Sequence, residues 1–267
     1  IPRGQDLAPG VVIARAGQVV TPSMVGVFAA SGISQVTVSR NVSLGIISTG
    51  SELVRAGSVP SEGQIYDINA YSLFALAKAA GVNPVNLGAV KDKAADLFAI
   101  LNHGMGFDIL LLSGGVSVGD YDIVHEILQL AGVEEIFWRV KVKPGKPLFF
   151  GKKGTTLIFG LPGNPVSSVV NFNLFVRPVL DKLAGKTTWG LRTGNARILS
   201  NRILKPGRRK FLRGKIREAN ACLGVEIIAE QRSGVFSPMM NADVLLEIPE
   251  DMKILKEGDL VKVYYLQ

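Results

Sequence analysis

One cysteine, Cys222, and two histidines, His103 and His125, are all the thiol and imidazole in these 267 residues. A lone thiol excludes an internal disulfide and a cysteine-built metal site, which suits a reducing compartment; a cytoplasmic location is expected. Long apolar runs are missing as well. The longest, such as residues 109–112, are far too short to cross a bilayer. No basic-then-apolar leader ending in small residues is present, so secretion is not expected. Polar low-complexity tracts are absent too, and 47% of the residues are apolar, which argues a globular chain of one to three domains.

What is abundant is positive charge. Thirty lysines and arginines against 22 acids leave a formal charge of +8, which favours phosphate-bearing or otherwise acidic partners. The density peaks in "LKPGRRKFLRGKIRE". A nucleic-acid reader could look like this, but basic and apolar residues alternate from Lys210 to Ile216, as on a solvated strand face. Neither a nucleic acid nor a membrane is expected as partner.

Three textures follow one another. Residues 1–40 read as the remnant of a lead-in domain. In it "PGVVIARAGQVVTP" alternates like a small β element, Thr21 caps a helix that starts at Pro22, and "QVTVS" forms a short strand. Residues 41–186 alternate strand and helix, with glycines 81, 104 and 132 closing helices. The last helix, "PVSSVVNFNLFVRPVLDKLAG", should kink near Pro178. This predicts an α/β fold: an open, mostly parallel sheet with helices on both faces. Residues 187–267 carry short alternating segments between Pro-Gly, Ser-Gly and Glu-Gly-Asp turns, which predicts a small all-β C-terminal domain, a barrel or sandwich.

The stretch "DILLLSGGVSVGDYDIVHEIL", residues 108–128, holds a Gly-x-Ser-x-Gly pattern centred on Ser117. A nucleophile elbow needs an acid and a histidine from later loops. His103 precedes Ser117, and His125 lies in the helix that follows at once, on its surface, so a serine hydrolase is disfavoured. An anion cradle fits better. Gly114, Gly115 and Gly119 let backbone approach a ligand, Ser113 and Ser117 add hydroxyls, and a helix starts next. Asp120 and Asp122 then suit a divalent cation bridging carboxylate and phosphate, although Asp120 could equally cap the helix. Other strand ends repeat the theme: Thr49-Gly50 with Glu52, Asp92, Lys143 and Lys146 around a Pro-Gly turn, and "GLPGNPVSS". Each has a plain alternative. Thr49-x-x-Glu52 fits a capping box, Asp92 a helix cap, and the lysines a solvated turn.

Together "GIISTGSEL", "GQIYDINAYSL", "NLGAVKD", "DILLLSGGVSVGDYD", "FWRVKVKPGKPLFFG" and "GLPGNPVSS" resemble the molybdopterin molybdenumtransferases of the MoeA type, to which the gephyrin E domain also belongs. The motifs run in family order over residues 42–185, on a MogA-like domain, and the tail is similar to the family's C-terminal β domain. The resemblance implies insertion of molybdate into adenylylated molybdopterin with release of AMP, in a homodimer, assisted by Mg²⁺ or in its place Zn²⁺. It implies Glu52, Asp92 and Asp122 as catalytic acids and, with Asp120, as metal ligands. It further implies Thr49, Gly50, Ser113, Gly114, Gly115, Ser117, Lys143, Lys146, Pro162, Pro165, Arg213 and Ser233 as substrate-binding residues, with the lysines, Arg213 and Ser233 attracting molybdate. Two departures stand out. The family's Asp-Gly-Tyr-Ala region ahead of the lead-in is absent here, and "RRKFLRG" has Lys210 where many relatives have an acid. A MogA-like adenylyltransferase and a peptide-binding scaffold of the gephyrin type are the competing readings.

Overall fold

Thr21 starts the first helix, α1 (Pro22–Ala30): its hydroxyl accepts from Met24 N, and Pro22 takes the first turn, where a missing N–H costs nothing. The computed structural model describes residues 2, 4–91, 93–115, 123–219 and 222–266. The lead-in does not form the strands its alternation predicts; residues 11–20 and 33–42 are irregular. Alternation makes a strand only beside a partner strand, and among the described residues none pairs with them. Val12, Val19 and Val38 consequently stay more than half exposed.

The next elements are β1 (Ser43–Thr49), the short pair β2 (Leu53–Val54) and β3 (Ile65–Tyr66), α2 (Ile68–Ala79), β4 (Asn83–Val90) and α3 (Ala94–Gly104). They are followed by β5 (Ile109–Ser113), α4 (Ile123–Leu130), β6 (Glu134–Trp138), β7 (Val142–Lys143), β8 (Phe149–Lys153) and β9 (Thr156–Leu161). A last helical stretch comprises α5 (Pro165–Asn171), a π turn (Phe172–Val176) and α6 (Arg177–Leu183). The main sheet has the order β4-β1-β5-β9-β8-β6. Its first three pairings are parallel and its last two antiparallel, so the sheet is mixed. The reversal has a local cause: only two residues, with Gly154 at φ +58°, join β8 to β9, and so short a link can only turn the chain back.

Helices cover both faces, as the buried strands require. In β5, Ile109 and Leu111 pack with Leu73 of α2 and Leu180 of α6, while Leu110 and Leu112 pack with Leu101 of α3 and Leu128 of α4. Each such fully buried leucine contributes about 1.5–3 kcal/mol. The expected kink near Pro178 is a π turn just before it, which leaves Pro178 in the first turn of α6.

Asp108, just ahead of β5, clasps the start of β1. Its carboxylate accepts from Arg40 Nη1 and Nη2 at 2.7 and 2.5 Å and from Ser43 N and Oγ at 2.8 and 2.9 Å. The Arg40 hydrogen bonds, followed by those from Ser43, hold its pKa far below the usual carboxylate value against the opposing effect of burial. A depressed folded pKa adds stability above the unfolded value, about 3.9, and loses it as pH falls toward the folded one. Asp108→Asn should therefore flatten the decline of stability below about pH 4, read as urea midpoints across an acid series.

The remaining chain forms β10 (Thr193–Ile198), β11 (Arg202–Ile203), β12 (Arg209–Ala219), β13 (Cys222–Ile227), a 3₁₀ turn (Ser237–Asn241), β14 (Val244–Ile248), β15 (Ile254–Leu255) and β16 (Leu260–Tyr265). The order β13-β10-β16-β14-β12 closes because β13 also pairs with β12, giving a small barrel filled by Ala196, Leu212, Val225, Leu246 and Val263. Strand β7, from the α/β part of the chain, lies parallel to β12 as a sixth strand. Val142 of β7 packs there with Val166, Val170, Phe211 and Leu245. Among the described residues no helix is long and apolar enough to cross a membrane.

Candidate active site

Three parallel neighbours, β1, β5 and β9, end side by side at Thr49, Ser113 and Leu161. Past those ends the chain turns through Gly50, through Gly114-Gly115, and through Pro162-Gly163-Asn164-Pro165. All three turns line one cleft of about 1240 Å³, together with Glu52, Asp67, Asn69, Pro147 and Gly234. This is where an open α/β sheet places its ligands.

The turns are held by close backbone contacts. Gly114 has φ +94°, donates to Leu161 O at 3.2 Å, and lies so near Thr49 O that a Cβ would overlap it. Thr49 sits beneath Gly114 and Gly115, buried, and its hydroxyl has no hydrogen-bond partner among the described residues. No helix begins at Thr49; β2 follows after a turn, so Glu52 is not the end of a capping box. Its carboxylate folds back over Gly50, exposed, with no ion pair or hydrogen bond among the described residues. Ser113 is buried, with its hydroxyl 3.5 Å from Ser168 Oγ, which in turn donates to Pro162 O at 2.9 Å. That link fixes the third turn against the second. Asn164 and Pro165 open α5.

Two cleft residues escaped the sequence reading. Asp67 caps α2 through Ala70 N at 2.9 Å, and Asn69 Nδ2 donates to Gly163 O at 2.8 Å, tying α2 to the third turn. An acid before a helix looks like a cap and nothing more, so no local signal separates the two roles.

The four residues that the resemblance implies as attracting molybdate do not all reach the cleft. Lys143 and Lys146 are exposed and outside its lining, although Pro147 is part of it. Their turn is braced by Asn171 Nδ2 on Gly145 O at 3.0 Å. Ser233 lies closer, its carbonyl accepting from Val166 N in the first turn of α5, with Gly234 on the cleft wall. Arg213 is a correction: it is 1% exposed, and its guanidinium donates to the carbonyls of Val235, Glu230 and Arg232 at 3.1, 2.7 and 3.3 Å. Burial lowers its pKa. Three of its five N–H donors go to the loop that carries Ser233, and it is not part of the cleft lining, so it positions that loop. His125 is also corrected from an open helix surface: it stacks on Trp138 at 4.2 Å, with Nε2 2.6 Å from Glu135. Asp92, Ser117, Asp120 and Asp122 lie outside the described residues.

Among the described residues no group of three or more His, Cys, Asp or Glu gathers as a metal site. Among the described residues of the cleft, Glu52 offers a hard carboxylate with no hydrogen bond or ion pair. That donor suits Mg²⁺ or Zn²⁺, but a single ligand does not build the site.

Residues 45–182, just over half of the chain, match the family described as "Probable molybdopterin binding domain". The chain belongs to that family. The cleft's lining, apart from Gly234, falls within those matched residues, and residues 195–266 match the MoeA C-terminal region, domain IV. Over 264 residues the chain is 32% identical to a Haemophilus influenzae protein named molybdopterin molybdenumtransferase, covering 97% of this chain and 65% of that one. A Bacillus subtilis protein of the same name is 30% identical over 271 residues, covering 99% and 62%. The α/β part and the barrel together superimpose on the crystal structure of the molybdopterin biosynthesis MoeA protein of Pyrococcus horikoshii. The TM-score is 0.86 at 29% identity, over 99% of this chain and 64% of that one. The chain thus spans just under two-thirds of these relatives' length.

Proposed function

We propose that the chain acts in molybdenum cofactor biosynthesis as a molybdopterin molybdenumtransferase, inserting molybdate into adenylylated molybdopterin with hydrolytic release of AMP. The observation that carries this reading is the glycine-walled cleft at the ends of β1, β5 and β9, with a Glu52 carboxylate that is unpaired among the described residues. A phosphate group needs close backbone approach, which Gly114, Gly115 and the neighbouring Ser113 and Ser117 would provide. Thr49 and Gly50 form the floor, and Pro162 and Pro165 stiffen the wall. Glu52 orients the water that attacks the pyrophosphate bond, with Asp92 and Asp122 as further acids. A divalent cation, Mg²⁺ or Zn²⁺, would be held by Glu52 with Asp92, Asp120 and Asp122, and would supply charge neutralisation to the departing phosphate. Lys143 and Lys146 draw molybdate toward the cleft from its border by charge. Residues 41–186 and 187–267 are the two working domains, after a lead-in of 1–40. A homodimer in the cytoplasm completes the proposal.

The barrel favours this reading over a MogA-like adenylyltransferase, because ATP-dependent adenylylation has no use for a second domain whose loop, through Gly234, walls the cleft. The deciding experiment incubates the purified chain with adenylylated molybdopterin and molybdate and follows AMP by chromatography. Molybdate-dependent AMP release is expected. ATP consumption that builds the adenylylated pterin, with no AMP release, would overturn the proposal.

A further inference from the structure

Cations at the rim of the barrel divide into two groups. Arg209 donates to Glu247 at 2.9 Å, and Lys141 pairs with Glu250 at 2.8 Å. Lys143, Arg208 and Lys210 have no ion pair among the described residues. Lys210 is the anomalous member. It is 7% exposed, on the face of β12 that it shares with Leu212 of the barrel core. Among the described residues its ammonium makes one hydrogen bond, a long 3.5 Å contact to Arg208 O. An ammonium carries three donors, so the protein satisfies at most one of them here. Its charged surroundings are all of the same sign. Lys143 is its partner across the β7–β12 pairing, and Arg208 reaches over the same crossing to Val142 O at 3.3 Å. Burial, then Lys143, then Arg208 push its pKa down. Three gathered cations, one of them desolvated and none with an acid, are what an anion would complete.

We propose that Lys210, Arg208 and Lys143 form an oxyanion site where β7 joins the barrel, taking a tetrahedral dianion of the phosphate kind. None of the three lines the cleft. Lys143 is shared with the proposed reaction, whereas Lys210 and Arg208 belong to this site alone. Phosphate and molybdate have the same shape and charge, so both serve as probes.

The test titrates inorganic phosphate, and separately molybdate, into the whole chain by calorimetry at low salt, in wild type, Lys210→Met, Arg208→Gln and Glu52→Gln. Wild type should bind saturably, and Lys210→Met and Arg208→Gln at least about tenfold more weakly, the scale of one lost charge-assisted contact. Glu52→Gln should bind like wild type, which separates this site from the cleft. Phosphate should also raise the melting temperature of wild type but not of Lys210→Met. Tighter molybdate than phosphate binding at these residues would mark the anion as the metal substrate, and the reverse as the phosphate of an organic ligand. Binding of both anions at unchanged affinity in the two barrel variants, or no saturable binding by wild type, would overturn the proposal.

Discussion

Glu52→Gln is expected to lower molybdate-dependent AMP release by about 10²- to 10⁴-fold, the range for loss of a group that handles a proton in the transition state. Its melting temperature should stay within about 1–2 °C of wild type, because an exposed side chain without partners contributes little to folding. The carboxylate makes no hydrogen bond or ion pair among the described residues, and the amide keeps its shape. The fall should appear in kcat more than in KM if Glu52 acts on the attacking water and not on the pterin. Wild-type kcat and KM in a correctly folded variant would remove Glu52 from the chemistry and leave the cleft only a binding surface.

The second large effect is structural. Gly114→Ala should cost about 2–5 kcal/mol, from about 1–2 kcal/mol for a left-handed backbone and about 1–3 kcal/mol for overpacking. At φ +94° the new methyl would press on Thr49 O, which is main chain and has no rotamer to escape into. For a chain of this size that is a fall of about 5–15 °C in melting temperature. Gly106→Ala is the matched control, since nothing stands within 4 Å of its missing Cβ. Equal melting temperatures for the two variants would contradict the close packing of the first and second turns. Because both turns belong to the cleft, Gly114→Ala should also impair substrate binding, unlike the control.

Much of this architecture can be read from residue order. Apolar runs such as 109–112 admit only a strand buried on both faces, and glycines 81 and 132 stop helices where the structure stops them. Pairing is harder to read. Residues 11–20 and 35–39 alternate as well as any strand, yet among the described residues no strand pairs with them. The reversed direction of β8 depends on one two-residue link that only coordinates reveal. In the site, glycine and proline turns were legible because their backbone demands are local. Arg213 was not, because its charge announces affinity for an anion whereas its burial among carbonyls depends on a loop some 20 residues away. Asp67 and Asn69 were missed for the opposite reason: a helix cap explains Asp67 locally, and Asn69 reads as an ordinary first-turn residue until the third turn is seen beside it.

Strand β7 has a consequence for how such a chain could arise and diversify. Its two residues are borrowed by the barrel from the middle of the preceding sequence. A barrel transplanted alone would lose a seam, and the donor would be left with a loose thread. Recombination at the connection between them is therefore penalised on both sides, and the pair should be inherited as a unit.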